Sequence, residues 1–511
     1  MSRMAAGRMG GSLPLILAAG LGLLAGIALP PLGWPPLLWL ALAGLWSLAA
    51  QTSRPFWCGL LWGATALALS HRWLLALHPL DWIGVPLAWS LPLCVLLLVL
   101  LAALAGVLVG LWSWLASRLD PRRFDSAVLL ALIWAVAELA LAQGPLFWVG
   151  VGAAALPGDR PLAALAALGG SGLVAALHLL LGWLCWRLWH GPARRGAAGV
   201  LMATLLVSHG LGALVLASTP LQGPREQVLV LQPAIPTRQK FEPAQRLALQ
   251  RQLAAALEQG RRQGAALLVL PEGALGLEPR LSAPAPIELI SGGFRWHEGA
   301  DVLQQRSSLL RFAPGSQEPS SWLDKHRLVP LGEWVPLAGL VRWSGLSAVG
   351  GVEPGSPSRL LPRPGGALAA AICYELSDGA SLAAAVRDGA TWLLASANLD
   401  PYPRQLQQQF TALAQLRALE TGRWLVSAAN TGPSQLISPQ GVVQDQLLSG
   451  RPGVLVVRVP QLRGLTPFDR FGSLPLVLLT AGAAFWRRRQ LRLSASTSAA
   501  GRSPDRPARD R

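Results

Sequence analysis

The chain has 511 residues, of which 52% are hydrophobic and only 14% charged, with a formal net charge of +17 at neutral pH. This excludes an ordinary soluble enzyme, because the apolar residues come in blocks of bilayer length. It also argues against a nucleic-acid partner. The last 25 residues, "RRRQLRLSASTSAAGRSPDRPARDR", hold eight Arg against two Asp, and much of the remaining excess sits in short loops between apolar blocks. That pattern reads as a topology signal and a basic tail near anionic lipid.

In chain order, seven apolar blocks precede residue 218, at 13–29, 34–50, 56–77, 88–115, 127–149, 164–187 and 197–217, and an eighth at 473–486 runs into "RRRQLR". Each predicts a membrane-crossing helix. The first is followed directly by further blocks, so it reads as a retained helix rather than a signal peptide. Arg3 and Arg8, Arg54, Arg118 to Arg123, Arg187 to Arg195, and Arg487 to Arg489 mark alternate connections, whereas the others carry only Arg72 and Arg160. The positive-inside rule then puts both termini in the cytoplasm and residues 220–465 outside. The expected organisation is a transmembrane domain at 1–217, an α/β domain at 218–465, a span at 466–486 and a disordered basic cytoplasmic tail at 487–511.

The 218–465 segment is more polar. "EQVLVLQPAIP", "AALLVLPEG", "ALAAAICYE", "TWLLASAN", "RWLVSAANTG" and "GVLVVRVP" read as short buried strands. "SSLLRFAPGS" reads as a hairpin arm. "PAQRLALQRQLAAALEQGRRQGA", "SLAAAVRDGA" and "RQLQQQFTALAQLRALETG" have helical spacing. Short apolar strands separated by helices predict a layered α/β fold with buried sheets.

Several chemistries drop out. Lysine occurs only at 240 and 325, so 41 of the 43 basic residues are Arg. Neither lysine follows a glycine, which rules out a phosphate-binding Walker loop. The seven histidines form no ligand pattern, so no metal or cofactor is expected.

Three features remain at strand ends. "LLVLPEGALG" puts Glu272 just past a strand, "LDKHRLVPLGEWVP" puts Lys325 and Glu333 in a loop, and "ICYELSDG" puts Cys373 at a strand-to-helix turn. Cys58, Cys94 and Cys185 lie instead in apolar blocks. Brought together, the three features supply a nucleophile, a carboxylate base and a cation for an oxyanion. A thiol at a helix start near a lysine is expected to favour its thiolate. Lys325 stands where a broad guanidinium would be a poor substitute. Lys240 reads as a surface residue.

Glu272, Lys325 and Cys373-Tyr374-Glu375 resemble the Glu-Lys-Cys triad of the nitrilase (carbon–nitrogen hydrolase) superfamily. "KHRLVPLGEWVP", "AAICYE", "SGGFR", "QLRALETGRWLVSAANTG", "SPQG" and "LTPFDRFGS", set among eight apolar blocks, are similar to the membrane-embedded apolipoprotein N-acyltransferases. The resemblance implies an extracytoplasmic αββα sandwich on a polytopic α-helical domain of about eight spans in a bacterial inner membrane. It implies that Cys373 takes an acyl chain from a phospholipid as a thioester, with Glu272 as base and Lys325 on the oxyanion. Glu333, Tyr374 and Glu375 would support the site, and Phe241 and Asn398 would contact substrate. The acceptor would be the N-terminal diacylglyceryl-cysteine amine of an apolipoprotein. The family's "SNDxWF"-like stretch here reads "SANLDPYP", and Phe241 stands where a Trp is expected. A membrane-anchored amidase and a non-enzymatic lipid-binding protein are the alternatives.

Overall fold

Each of the first seven apolar blocks forms a helix: α1 (Leu13–Ala28), α2 (Pro35–Gln51), α3 (Pro55–Ser70), α4 (Leu87–Arg118), α5 (Phe124–Ala142) and, after the short α6 (Arg160–Ala164), α7 (Ala166–His190) and α8 (Arg194–Ser218). These coordinates are a computed structural model describing residues 11–81, 85–190, 194–240, 242–298, 303–330, 333, 351–400 and 402–500. Among the described residues α4, α5, α7 and α8 are long and apolar enough to cross a membrane, while α1 and α3 are apolar but shorter. Tryptophans hold the bundle together. Trp46, Trp112 and Trp134 meet edge to face, and the indole N–H groups of Trp46 and Trp112 donate to the Leu179 and Leu130 carbonyls at 3.0 Å. A large ring with its single donor satisfied internally suits a lipid-surrounded core.

The 218–465 segment folds into two six-stranded sheets. The first is ordered β12-β1-β2-β3-β4-β5, from β1 (Arg225–Gln232), β2 (Leu267–Val269), β3 (Glu288–Glu298), β4 (Leu303–Phe312), β5 (Ser321–Asp324) and β12 (Gly453–Pro460). The second is ordered β11-β10-β9-β8-β7-β6, from β6 (Leu360–Leu361), β7 (Leu368–Ile372), β8 (Trp392–Ala397), β9 (Leu425–Ala429), β10 (Gln435–Ile437) and β11 (Val443–Gln446). In each sheet three central strands run parallel, β1-β2-β3 and β7-β8-β9, with antiparallel strands outside them.

The strands are apolar on both faces because both are covered. Val228, Val230, Leu267 and Val269 share a core with the second sheet. Their alternate neighbours Leu229, Leu231 and Leu268 pack on Leu253, Ala256 and Leu257 of α9 (Pro243–Gln263). Each such side chain contributes roughly 1.5–3 kcal/mol by burial. Beyond the second sheet lie α10 (Gly379–Arg387) and α11 (Arg404–Thr421), and α11 packs on α6 and α7 as well. The layers are therefore helix, sheet, sheet, helix, with the membrane helices against the last layer.

The chain re-enters the helical bundle through α12 (Pro467–Phe471) and α13 (Leu474–Ala500). The Phe468 ring fills the kink of α7 at Gly170, where φ is +70° and a Cβ would lie 2.5 Å from that ring. The α13 helix continues through Arg487 to Ala500, the first part of the stretch expected as a disordered tail, and residues 501–511 of that stretch lie outside the described residues.

The bundle has two distinct ends. Pro30, Ser70, Pro79, Leu216 and Leu221 give their carbonyls to Gln409, Gln405, Arg238, Gln440 and Trp424 of the sandwich. At the other end Arg487 donates to the Leu119 carbonyl at 2.8 Å and pairs with Asp125. The arginine-poor connections thus face the sandwich, and Arg487 meets the connection that carries Arg118, Arg122 and Arg123.

Candidate active site

Glu272, Lys325, Cys373 and Asn398 lie just past the carboxyl ends of β2, β5, β7 and β8, where parallel sheets gather their functional groups. Lys325 is 1% exposed, and its Nζ donates to Glu272 Oε1 at 2.7 Å and to Glu333 Oε1 at 2.9 Å. An ammonium has three N–H groups, so one remains for another acceptor. The lysine backbone is also fixed, its N–H on the Ser307 carbonyl and its own carbonyl on the Gly355 N–H, each at 2.8 Å. Burial alone would lower its pKa, but the Glu272 and Glu333 charges outweigh that and hold the ammonium well above its ordinary value. Glu333 accepts from Val329 N at 2.9 Å, and burial raises its carboxyl against the pull of Lys325.

Cys373 begins a tight 3₁₀ turn, Cys373–Ser377, at φ +55°. A non-glycine residue there carries strain of order 1–3 kcal/mol, which surrounding structure must hold in place. Glu375 does much of that holding. Its Oε2 accepts from Ile372 N at 2.9 Å, and its Oε1 accepts from His326 N at 2.7 Å and Arg359 Nη1 at 2.7 Å. Arg359 also donates to the Asp324 carbonyl at 2.9 Å. The turn carrying Cys373 and the loop carrying Lys325 are thereby tied through one buried ion pair.

The Cys373 thiol is 6% exposed and feels the charges of Glu272, Lys325 and Glu333. Burial, then the Glu272 charge, push it well above the ordinary thiol value, against the lowering by Lys325. The expectation of a resting thiolate is therefore corrected: Lys325 spends its field on two carboxylates, and the thiol keeps its proton beside one of them.

Tyr374 and Tyr402 are the only tyrosines in the chain, and their hydroxyls lie 3.4 Å apart. Phe147, from the loop after α5, packs 5.2 Å from Tyr374, and Trp73 packs 5.6 Å from Tyr402. The Trp148 N–H donates to Ser377 Oγ at 3.2 Å. One wall of the site is therefore delivered by the helical domain, which sequence reasoning missed; the scarcity of tyrosine was the available signal.

Asn398 joins the site through its backbone, whose N–H donates to Glu272 Oε2 at 3.2 Å. Its side chain donates to Thr237 Oγ1 at 2.9 Å and accepts from Asn430 Nδ2 at 2.8 Å. Phe241 lies outside the described residues. Lys240, expected on the surface, is half-buried instead, and its Nζ donates to the Gly273 carbonyl. A cavity of about 790 Å³ opens beside Lys240, Glu272, Asn398 and Asn430 and extends between α9 and the loop after β2.

The carbon–nitrogen hydrolase model matches residues 321–467, the part of the sandwich that carries Lys325 and Cys373 at strand ends. The helical part matches the apolipoprotein N-acyltransferase N-terminal domain over residues 21–184. Apolipoprotein N-acyltransferases of Prochlorococcus marinus (strain MIT 9313) and Parasynechococcus marenigrum are each 47% identical, covering 91% and 90% of this chain and 94% and 97% of theirs. The Gloeobacter violaceus relative is 31% identical over 84% of each chain. The chain belongs to the apolipoprotein N-acyltransferase family. Among solved structures, Saccharomyces cerevisiae Nit3 of the nitrilase superfamily is 15% identical with a TM-score of 0.36 over 47% of this chain and 92% of that one, which adds nothing to the assignment.

Proposed function

We propose that the protein is a polytopic inner-membrane enzyme that moves an acyl chain from a phospholipid to the N-terminal diacylglyceryl-cysteine of an apolipoprotein, through a thioester on Cys373. The observation that carries this reading is the contact of one fully buried lysine with two carboxylates, Glu272 and Glu333, at the strand ends where the strained Cys373 also stands.

Glu272 takes the thiol proton as Sγ attacks the ester carbonyl carbon, and the remaining Lys325 N–H stabilises the oxyanion. The tetrahedral adduct collapses, the glycerol oxygen leaves with the proton held by Glu272, and lysophospholipid departs. The acceptor amine then attacks the thioester and gives a proton to Glu272. The thiolate leaves, recovers that proton, and an amide remains. Protonation of the resting thiol fits this cycle, because activation waits for substrate instead of leaving an exposed nucleophile.

The sandwich is assigned to the outer side of the membrane and both termini to the cytoplasm. The arginine-rich connections at the opposite end of the bundle support this orientation. Eight helices matching eight apolar blocks support eight spans.

Intact-protein mass spectrometry after incubation with phospholipid, with and without a diacylated lipopeptide, tests the reading. A hydroxylamine-labile adduct on Cys373 that disappears as the lipopeptide gains an amide-linked chain is the expected result. An adduct cleared equally fast by water alone would make the protein a hydrolase.

A further inference from the structure

The two lysines of this chain meet at one turn. Of 43 basic residues 41 are Arg, yet Lys325 bonds the Glu272 carboxylate and Lys240 bonds the carbonyl of the next residue, Gly273. Where arginine serves almost everywhere else, two lysines at one turn point to a site needing a compact ammonium instead of a planar fork.

The space around the turn agrees. A Cβ placed on Gly273 would lie only 3.0 Å from Lys240 Nζ. From β3, Gly292 approaches so closely that a Cβ on it would sit 2.4 Å from Glu272 Cα. The Pro271–Gly273 turn is therefore packed against both β3 and the Lys240 ammonium. Thr237, three residues before Lys240, donates its N–H to Asp400 Oδ2 at 2.6 Å and accepts from Asn398 Nδ2 at 2.9 Å. Asn398 in turn holds Glu272 Oε2 through its backbone N–H. The segment 237–240 thus reaches Glu272 by two routes, one through Asn398 and one through Lys240. Burial lowers the Lys240 ammonium below its ordinary value, and the Glu272 charge pulls it back up.

We propose that Lys240 is a positioning residue for the acyl transfer: it clamps the Pro271–Gly273 turn through the Gly273 carbonyl and so holds Glu272 in place. This rests on the reading of Glu272 as the base. Lys240 and Glu272 also share a wall of the 790 Å³ cavity, so the clamp stands where a substrate would approach the base.

The test is the single-turnover rate of Cys373 acylation by phospholipid vesicles, read by intact mass, in Lys240→Ala, Lys240→Met, Lys240→Arg and Glu272→Gln of the full chain. Lys240→Ala and Lys240→Met are expected to melt as the parent does in detergent and to acylate roughly 10- to 100-fold more slowly. Lys240→Arg stays slow, because its fork does not fit beside Gly273. Added ethylammonium restores Lys240→Ala, which a structural defect alone would not permit. A parental rate in Lys240→Met, or a folded, slow Lys240→Ala that ethylammonium does not speed, overturns the proposal. Glu272→Gln separates the two ideas. If it acylates at the parental rate, the base reading fails; if it is slow while Lys240→Met is not, the base stands and Lys240 falls.

Discussion

Lys325 Nζ lies 2.7 Å from Glu272 Oε1, a contact between residues 53 apart in sequence on a lysine that is 1% exposed. The pair is a buried cation against a carboxylate, and the second carboxylate of Glu333 shares it. Lys325→Arg preserves the charge but needs more room and presents a flat fork to two carboxylates arranged for a point charge. Its acylation rate should fall about 10²-fold or more while the protein still inserts and purifies. Parental acylation in Lys325→Arg, measured by intact mass, would rule out the oxyanion role.

Cys373→Ala should form no acyl adduct, whereas Cys58→Ala should form it at the parental rate, since Cys58 is buried among α1–α3. The φ of +55° at 373 adds a stability test. Cys373→Gly should melt above Cys373→Ala, because glycine relieves strain of about 1 kcal/mol that alanine keeps.

Glu272→Gln should move two assays in opposite directions. Acylation should slow by about 10²- to 10⁴-fold as the base is lost. The Glu272 charge is one of the causes that raise the Cys373 thiol, so its removal lowers that thiol's pKa and shifts iodoacetamide labelling of Cys373 to lower pH. An alkylation profile that stays in place would show that the carboxylate does not act on the sulfur.

Glu375 and Arg359 are each 2% exposed and 2.7 Å apart. Removing one partner strands the other charge, so Arg359→Met or Glu375→Ala should each cost about 3–5 kcal/mol in unfolding. The double variant should cost less than the sum of the two. Simple additivity in detergent melts would mean that the pair is not coupled.

Gly292→Ala tests the turn from the β3 side. The added methyl would overlap Glu272 Cα, Gly273 N and Pro271 O at 2.4–2.5 Å, all backbone atoms. The turn must shift, and a displacement near 1 Å should cost roughly 10²-fold in acylation. Parental activity in this variant would show that the turn tolerates movement.

Hydropathy blocks, strand patterns and the three motif strings are local properties, and these were legible. The apolar blocks became helices, "ICYELSDG" became a strand followed by a tight turn, Glu272, Lys325 and Cys373 stand at strand ends, and Lys325 meets Glu272 and the loop residue Glu333. The strand "ELISGGFRWHE" was not read as a strand, because two glycines and a charged end break the apolar run; its pairing with β4 forms it.

Other features depended on distant partners. Lys240 looked like a surface residue because nothing beside it in sequence says that Gly273 receives it. The thiol looked activated because a nearby lysine is visible in a motif, whereas the two carboxylates that consume its field are visible only in space. Phe147 and Trp73 read as parts of apolar blocks, and only the docking of the bundle on the sandwich turns them into a wall for Tyr374 and Tyr402. The sequence by itself determined the chemistry available and the membrane character, since both follow from residue type and short spacing. The tertiary structure decided which charges face one another and how they share a proton, because those energies depend on distance and burial between residues far apart in the chain.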